Sequence, residues 1–339
     1  MKKITLLLSF ILLGAIVFAQ DAHFSQFFAS PLTLNPAFTG KFDGAVRFSG
    51  NYRNQWPSIN NAFITTTGSV DFHIGANIIP HNDNWGLGVT VLNDNSAAGA
   101  VNYTYYSLST AYHKGLDEDG FHQLSGGLQV TYANTYINTS SLKFEDQLTP
   151  YGFTGASSSD PLVSGLGSLS SNYVDVNAGL LYSGSSNERN NYYIGASLYH
   201  LNKPTQKLTT ADSYTINPRT TIHAGTYFGI ADNVTMHLSA IQTFQGGASE
   251  TVLGGAFQLI ANPEETTQQT SIYAGSWLRL NDAIIPYLGL EFNDVRLGVT
   301  YDYNTSALKT ASQSQGGLEL SLMYIYRPST DKPINCPKF

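Results

Sequence analysis

The sequence has few of the charged residues typical of a soluble domain, and it lacks the long apolar runs of a helical membrane protein. It contains one cysteine, Cys336, so no intrachain disulfide can form. Charged residues fill only 12% of the 339 positions, whereas roughly 25% is usual for a soluble domain. Beyond the first 20 residues, no apolar run approaches the roughly 20 residues that a membrane-spanning helix requires. These absences exclude a helical membrane bundle and leave strands as the way to cross a membrane.

Patterns typical of nucleic-acid binding, metal binding and hydrolysis are also missing. The formal net charge is −7 and there is no basic block, so we expect no nucleic-acid partner. The eight histidines are scattered, without an HExxH motif or a Cys/His pairing at zinc-finger spacing. No GxSxG motif is present. We therefore expect no cofactor, no metal and no enzymatic activity, while a barrel hydrolase with a Ser–His pair formed only on folding stays an open alternative.

The amino terminus has the layout of a secretory signal peptide. Lys2 and Lys3 precede the apolar stretch 4–18, and the small residue Ala19 comes before the polar Gln20. We predict a signal peptide over 1–19 and a mature chain that begins at Gln20. The alternative is an uncleaved membrane anchor.

From residue 42 onward, apolar and polar residues alternate in segments of about ten residues. The composition agrees, since 31 Gly, 21 Tyr and 18 Phe favour extended, turn-rich chain over helix. Such alternation is the signature of a strand with one face toward lipid and one toward water. We predict fourteen strands, at 43–55, 61–73, 85–94, 101–113, 121–136, 173–183, 191–201, 215–228, 233–243, 250–260, 270–279, 283–292, 294–303 and 317–326. The predicted fold is all-β, a transmembrane antiparallel β-barrel of about 14 strands over 42–326.

Loop lengths indicate how this barrel lies in an outer membrane. Short turns follow most even-numbered strands and longer loops follow odd-numbered ones, as expected when both ends of the barrel face the periplasm. The stretch 74–84 is longer than a turn needs and is the exception. Residues 20–41 then form a pre-barrel segment, and 327–339 form a periplasmic tail that contains Cys336. The tail either contacts a periplasmic partner or is disordered.

A barrel of fourteen strands encloses a lumen that is water-filled or filled by protein. Two segments are long enough to enter it, 137–172 and 20–41. The alternation turns Arg47 and Arg53 toward the lumen, where a loop carboxylate such as Glu145 or Asp146 could pair with them. Solvated arginines are the alternative.

Three short motifs go beyond what a barrel requires. They are H-F-S-Q-F at 23–27, P-L-x-L-N-P-A-F-x-G at 31–40 and N-Y-R-N-Q-W-P at 51–57. Together they closely resemble the start of the PorP/SprF family, outer-membrane proteins of the type IX secretion system of Bacteroidetes. Phe144–Gln147 resembles a further family element. The remaining strands match in length and alternation rather than residue by residue.

The resemblance implies a non-enzymatic role in exporting or retaining cell-surface proteins, in some members gliding adhesins. The expected partners are outer-membrane lipid, other secretion components on the periplasmic side, and secreted cargo with carboxyl-terminal signal domains. We expect a docking platform, because a folded cargo protein is wider than a lumen of this strand count. The alternatives are an outer-membrane porin or small-molecule transporter, and a secreted β adhesin or enzyme.

The pre-barrel segment supplies most of the candidate contact residues. Pro31 and the pair Asn35-Pro36 are expected to hold it extended, with an apolar strip that must be covered. It either packs as a structural plug or contacts another secretion component. The candidate residues for plug or partner contacts are His23, Phe24, Gln26, Phe27, Leu34, Asn35, Pro36, Phe38, Arg47, Arg53, Trp56, Asp146 and Cys336.

Overall fold

A computed structural model describes most of the chain. The described residues are 21–59, 62–75, 78–118, 120–153, 158–160, 167–187, 189–208, 213–262 and 269–328. The predicted signal peptide, the end of the predicted tail and Cys336 lie outside them.

Fourteen antiparallel strands of the described chain form a closed barrel, as predicted. Each strand pairs with its neighbours along the chain, and the first pairs with the last to close the ring. The strands are β1 (Val46–Gln55), β2 (Phe63–Ile74), β3 (Asn84–Ser96), β4 (Val101–Gly115), β5 (His122–Ile137), β6 (Leu169–Asn187), β7 (Asn190–Tyr199), β8 (Arg219–Ala231), β9 (Val234–Gln245), β10 (Ala248–Ile260), β11 (Thr270–Arg279), β12 (Ala283–Phe292), β13 (Val295–Asn304) and β14 (Gln315–Tyr326).

The alternation of side chains separates a lipid face from a lumen face. In β14, Leu318, Leu320 and Leu322 are exposed on the outside, whereas Glu319 between them is buried inside. The other strands repeat the pattern, because successive side chains of a strand point to opposite faces. In the described part of the chain, no helix is both long and apolar enough to cross a membrane.

We call the two ends of the barrel the terminal end and the loop end. At the terminal end β1 begins and β14 finishes, and at the loop end the odd-numbered strands finish. The strands β4 to β6 are 15 to 19 residues long, whereas β7 has 10, so the wall is taller on one side.

Most observed strand bounds lie within three residues of the predicted ones, and two strands differ by more. The strand β6 is longer at both ends than the predicted 173–183, because its first residues pair with the tall strand β5. The strand β8 begins at Arg219 instead of 215, since Ser213–Thr215 pairs with Thr205–Lys207 in a small hairpin of the loop. A second small hairpin, Leu148–Thr149 with Gly152–Phe153, lies in the loop between β5 and β6.

Candidate functional site

The first described residues, 21–41, cross the inside of the barrel, and we call them the luminal segment. The Arg53 guanidinium, near the loop end of β1, donates a hydrogen bond to the carbonyl of His23. Arg47, six residues earlier in the same strand, donates to the carbonyl of Phe38 at 3.0 Å. Since a strand rises about 3.4 Å per residue, the two arginines are roughly 20 Å apart along β1. The segment therefore enters at the loop end and leaves at the terminal end, where β1 begins.

Contacts on several sides of the ring place the luminal segment in the lumen. It hydrogen-bonds inward side chains of β2, β4, β7 and β14, namely Asp71, Ser109, Ser197 and Glu319. Nearly all of its side chains from Phe24 onward are buried. A segment outside the wall could not contact opposite strands at once, so the lumen is occupied by the chain itself.

The luminal segment is a series of short helical turns, and the prediction that its prolines hold it extended is wrong. Pro31 opens a turn over Pro31–Leu34, and Pro36 opens another over Pro36–Phe38. Proline fits the first position of a helix because its missing N–H has no partner there. The Oδ1 of Asn35 accepts from the backbone N–H of Ala37 at 2.8 Å and so caps the second turn.

The apolar side of the luminal segment packs on aromatic residues of the wall. Phe28 stacks on Trp277 with ring centroids 4.8 Å apart, and it meets Tyr287 edge-on at 5.3 Å. Phe27 and Phe38 are buried in the same cluster. Each such side chain contributes about 2 kcal/mol of burial free energy. A cavity of about 90 Å³ remains beside them.

Glycines on the inner wall allow the luminal segment to lie directly against the strands. A Cβ built on Gly127 would overlap the backbone of Pro36 and Ala37. One on Gly179 would overlap the side chain of Asn35. Wall glycines at these points thus hold space for the segment.

A cluster of buried charged residues binds the loop-end half of the luminal segment. The Asp302 carboxylate accepts from Arg53 at 3.0 Å, from Arg279 at 2.9 Å and from the Ser25 hydroxyl at 2.8 Å. The Glu319 carboxylate accepts from the backbone N–H of Ser25 at 2.7 Å. Because these charges are away from water, each requires its partners to stay in place.

Two further predicted residues join this cluster. His23 Nε2 lies 3.0 Å from the Glu250 carboxylate. The Gln26 backbone N–H donates to Glu319 at 3.0 Å, and the Gln26 side chain accepts from the Ser321 hydroxyl at 2.7 Å. Both side chains therefore bind the wall.

The first described residue, Asp21, is held by charges at the loop end. Its carboxylate accepts from His200 Nε2 at 2.8 Å and lies 3.2 Å from Arg219. Burial alone would raise the pKa of Asp21, but Arg219 and His200 outweigh it and hold that pKa well below its usual range.

His200 bridges two carboxylates just beyond the end of β7. Its Nδ1 lies 2.9 Å from Asp175, on the side opposite Asp21. Burial alone would lower the pKa of His200, but hydrogen bonds to Asp175 and Asp21 raise it to about 9. The imidazole is therefore charged at neutral pH and links the luminal segment to the wall.

At the terminal end, Arg47 and Asp71 hold the other half of the luminal segment. Arg47 donates through Nε and Nη2 to the two oxygens of Asp71, at 3.0 and 2.7 Å. Asp71 also accepts from the backbone N–H of Gly40 at 2.7 Å. Arg47 and Asp71 face each other directly in the register of β1 and β2. This bidentate geometry is the strong form of an ion pair.

The predicted pairing of the lumen arginines with loop carboxylates is wrong. Both arginines face the lumen, but their carboxylate partners, Asp71 and Asp302, belong to the wall. Asp146 accepts from Ser158 and from the backbone of Ser159 in an exposed loop. The described residues 145–153 are mostly exposed, so this part of the loop does not fill the lumen.

Asn35 connects the centre of the luminal segment to the wall. Its Nδ2 donates to the carbonyls of Leu180 and Ala196 at 3.1 and 3.2 Å, and lies 2.9 Å from His223 Nε2. The preceding residue, Leu34, is buried, and its carbonyl accepts from the Ser197 hydroxyl at 2.8 Å.

Three predicted residues lie apart from the luminal segment. Trp56 follows β1 at the loop end and meets Phe63 edge-on at 5.6 Å. Asp146 is in the exposed loop, and Cys336 lies outside the described residues. The other ten, from His23 to Arg53, are brought together in the lumen.

The prediction missed the wall charges that hold the luminal segment. Asp71, Asp302, Glu319 and Arg279 were not selected, although each is an inward residue of a strand with few other charges. The available signal was an inward charged residue in a strand that has at most one other charged residue. Among the described residues, no group of three His, Cys, Asp or Glu side chains is placed to hold a metal ion.

One family model and several solved structures are similar to this chain. A family model described as "Type IX secretion system membrane protein PorP/SprF" matches residues 16–324. A search of curated proteins finds no match. Among solved structures, the toluene transporter TbuX of Ralstonia pickettii is 9% identical, with 88% of this chain and 94% of that chain covered and a TM-score of 0.48. A FadL homologue of Pseudomonas aeruginosa is 8% identical, with 88% and 94% covered and a TM-score of 0.47.

Proposed function

Because this chain belongs to the PorP/SprF family of type IX secretion system membrane proteins, we propose that it is a non-enzymatic docking platform in the outer membrane. In this role it supports export or surface attachment of cargo with carboxyl-terminal signal domains, including gliding adhesins. Family membership implies other secretion components as partners. We place the contacts with those components on the periplasmic side.

The observation that supports a platform over a pore is the occupied lumen. Cargo could pass only if the luminal segment left. Its departure would break the hydrogen bonds from Gly40 to Asp71 and from Arg47 to the Phe38 carbonyl. It would also break those from Ser25 to Asp302 and Glu319. Each lost hydrogen bond to a buried charged group costs roughly 1.5–3 kcal/mol, because that group is left without one of its partners. The platform therefore works with its lumen closed.

The candidate residues of the luminal segment act, in this proposal, as internal contacts. The wall binds His23, Gln26 and Asn35 through hydrogen bonds and an ion pair. Phe27 and Phe38 are buried in the aromatic cluster. A partner therefore binds the rims and loops of the barrel. The signal peptide 1–19 is removed on export, and the terminal end faces the periplasm.

The direct test is deletion of the gene, with surface delivery of signal-domain cargo measured by labelling intact cells. We expect at least one such cargo to be lost from the surface and restored by the wild-type gene. Normal delivery of every signal-domain cargo would remove the proposal. Co-purification with tagged type IX components would then identify the partner.

The porin alternative is tested by ion conductance. The purified wild-type barrel should give no steady current in a planar lipid bilayer, because residues 21–41 fill the lumen. A steady open-channel current from the intact protein would favour the porin.

A further inference from the structure

The connection from β2 to β3 is anchored to its neighbour, although it is longer than a turn requires. The Asp83 carboxylate accepts from the Tyr112 hydroxyl, from Lys114 Nζ at 3.0 Å and from the backbone N–H of Gly115 at 3.0 Å. Asn82 Nδ2 donates to the carbonyls of the next terminal-end turn, at 3.1 and 2.9 Å. These bonds anchor Asn82 and Asp83, and at the other end of the connection the Ile78 backbone N–H donates to the Gly75 carbonyl at 2.8 Å.

The anchoring residues show that this connection lies on the outer side of the rim. Tyr112 and Lys114 belong to the outward face of β4, whereas His113 between them is fully buried in the lumen. Asp83 therefore binds the lipid-facing side of the wall. A Cβ built on Gly75 would lie 3.4 Å from the Trp85 ring and 3.8 Å from Ile79. Since Trp85 is also an outward residue, Ile79 joins the same outer surface.

This anchored connection exposes the large apolar side chain of Ile78. Ile78 is 87% exposed, and Leu116, in the neighbouring turn, is 54% exposed. Exposed Trp85 and Tyr112 lie between these residues and the apolar belt of the strands. Trp and Tyr favour the headgroup level of a membrane, because their rings are apolar with a polar tip.

We propose that Ile78, with Leu116, inserts into the lipid interface at the terminal end and widens the membrane contact of the barrel beside β3 and β4. The observation that selects lipid is continuity, because Trp85 and Tyr112 join this patch to the established lipid face. The partially exposed Lys114 is placed beside lipid phosphates. The longer connection thus has a physical role as a membrane anchor.

The test uses a nitroxide spin label at Ile78→Cys in a Cys336→Ser background, reconstituted in phosphatidylcholine vesicles. Collisions with oxygen, which concentrates in lipid, are compared with collisions with a water-soluble nickel chelate. Leu128→Cys, outward in the middle of β5, is the lipid control. Asp232→Cys, in the exposed turn between β8 and β9 at the same end, is the water control.

We expect the oxygen-to-nickel ratio at Ile78 to be several-fold above that at Asp232 and below that at Leu128. A ratio equal to that at Asp232 would place Ile78 in water and overturn the proposal. Circular dichroism of each labelled protein checks that the barrel has formed. Because Ile78 is exposed and makes no buried contact, its replacement leaves the fold intact.

Discussion

At the scale of single residues, the lumen of this barrel depends on charges that are buried with their partners. Asp71 is one of them, because it receives both the Arg47 guanidinium and a backbone N–H of the luminal segment. Such a carboxylate joins two strands and the segment in one contact. Its loss leaves a buried cation without a counter-charge.

We expect Asp71→Ala to lower the free energy of unfolding by about 3–5 kcal/mol, because Arg47 then lacks its buried partner. The measurement is denaturant unfolding of the barrel reconstituted in phospholipid vesicles. Asp232→Ala, in an exposed turn, is the matched control and should change it by less than about 0.5 kcal/mol. A loss below 1 kcal/mol for Asp71→Ala would contradict this account.

His200 gives the attachment of Asp21 a dependence on pH. Its pKa is raised to about 9 from an ordinary value near 6.5. The stabilisation is therefore complete below about pH 6.5 and is lost as the pH rises through about 9.

Between pH 7 and pH 10, wild type should lose about 2–3 kcal/mol more unfolding free energy than His200→Gln, which has no titrating imidazole. Unfolding curves of both proteins at the two pH values measure the difference. Other groups titrate equally in both. Identical pH dependence would mean that His200 is not charged in the folded protein.

At the scale of elements, the luminal segment and the wall are shaped for each other. Wall glycines lie where the segment approaches, and the turn opened by Pro36 places Phe38 in the aromatic cluster. The fit is local, so a single added side chain tests it.

Gly127→Val should displace the luminal segment near Ala37 and cost at least about 1–3 kcal/mol of unfolding free energy, because no space exists for the new methyl groups. Gly126→Val is the matched control, since Gly126 faces outward and its nearest neighbour to an added Cβ is 3.9 Å away. Equal losses of unfolding free energy in the two variants would show that the luminal segment does not depend on the space at Gly127.

Most of the secondary structure was predictable from sequence, because period-two alternation is a direct result of strand geometry. All fourteen strands and both faces of β14 follow from it. The turns at Pro31 and Pro36 could not be predicted in this way, since proline fits both extended chain and the start of a helix. The partners of Arg47 and Arg53 did not follow from it either. The pairing with Asp71 depends on the register of β1 and β2, and Asp302 reaches Arg53 over the intervening strand β14.

At the scale of the whole molecule, the chain closes its own channel. The ring alone would enclose an open lumen, and residues 21–41 remove it. Separate charged groups hold the two halves of this segment. The group around Asp71 holds the half at the terminal end, and the group around Asp302 holds the half at the loop end. Closure therefore requires both the ring of strands and residues 21–41.

Deleting residues 22–38 should convert a silent protein into one that conducts ions in a planar bilayer. Deleting residues 148–153, in an exposed loop, is the control and should leave the protein silent. A silent barrel after the first deletion, with its strand content intact by circular dichroism, would show that something other than this segment fills the lumen.

The path of the segment also fixes which side its beginning faces. An epitope placed before Asp21 should be reached by antibody from the same side as one in the turn at 246–247. An epitope at 232–233 should be reached only from the opposite side. Antibody binding to oriented vesicles measures this, and recognition of the first epitope together with the one at 232–233 would contradict the path.

A chain whose beginning runs through its own ring has a restricted order of assembly. The seam between β1 and β14 must close while residues 21–41 are already inside, or a free end must be drawn through a finished ring. A bulky folded protein fused ahead of Asp21 permits only the first route. The rate at which such a fusion matures would therefore reveal whether the seam is the last part of the barrel to form.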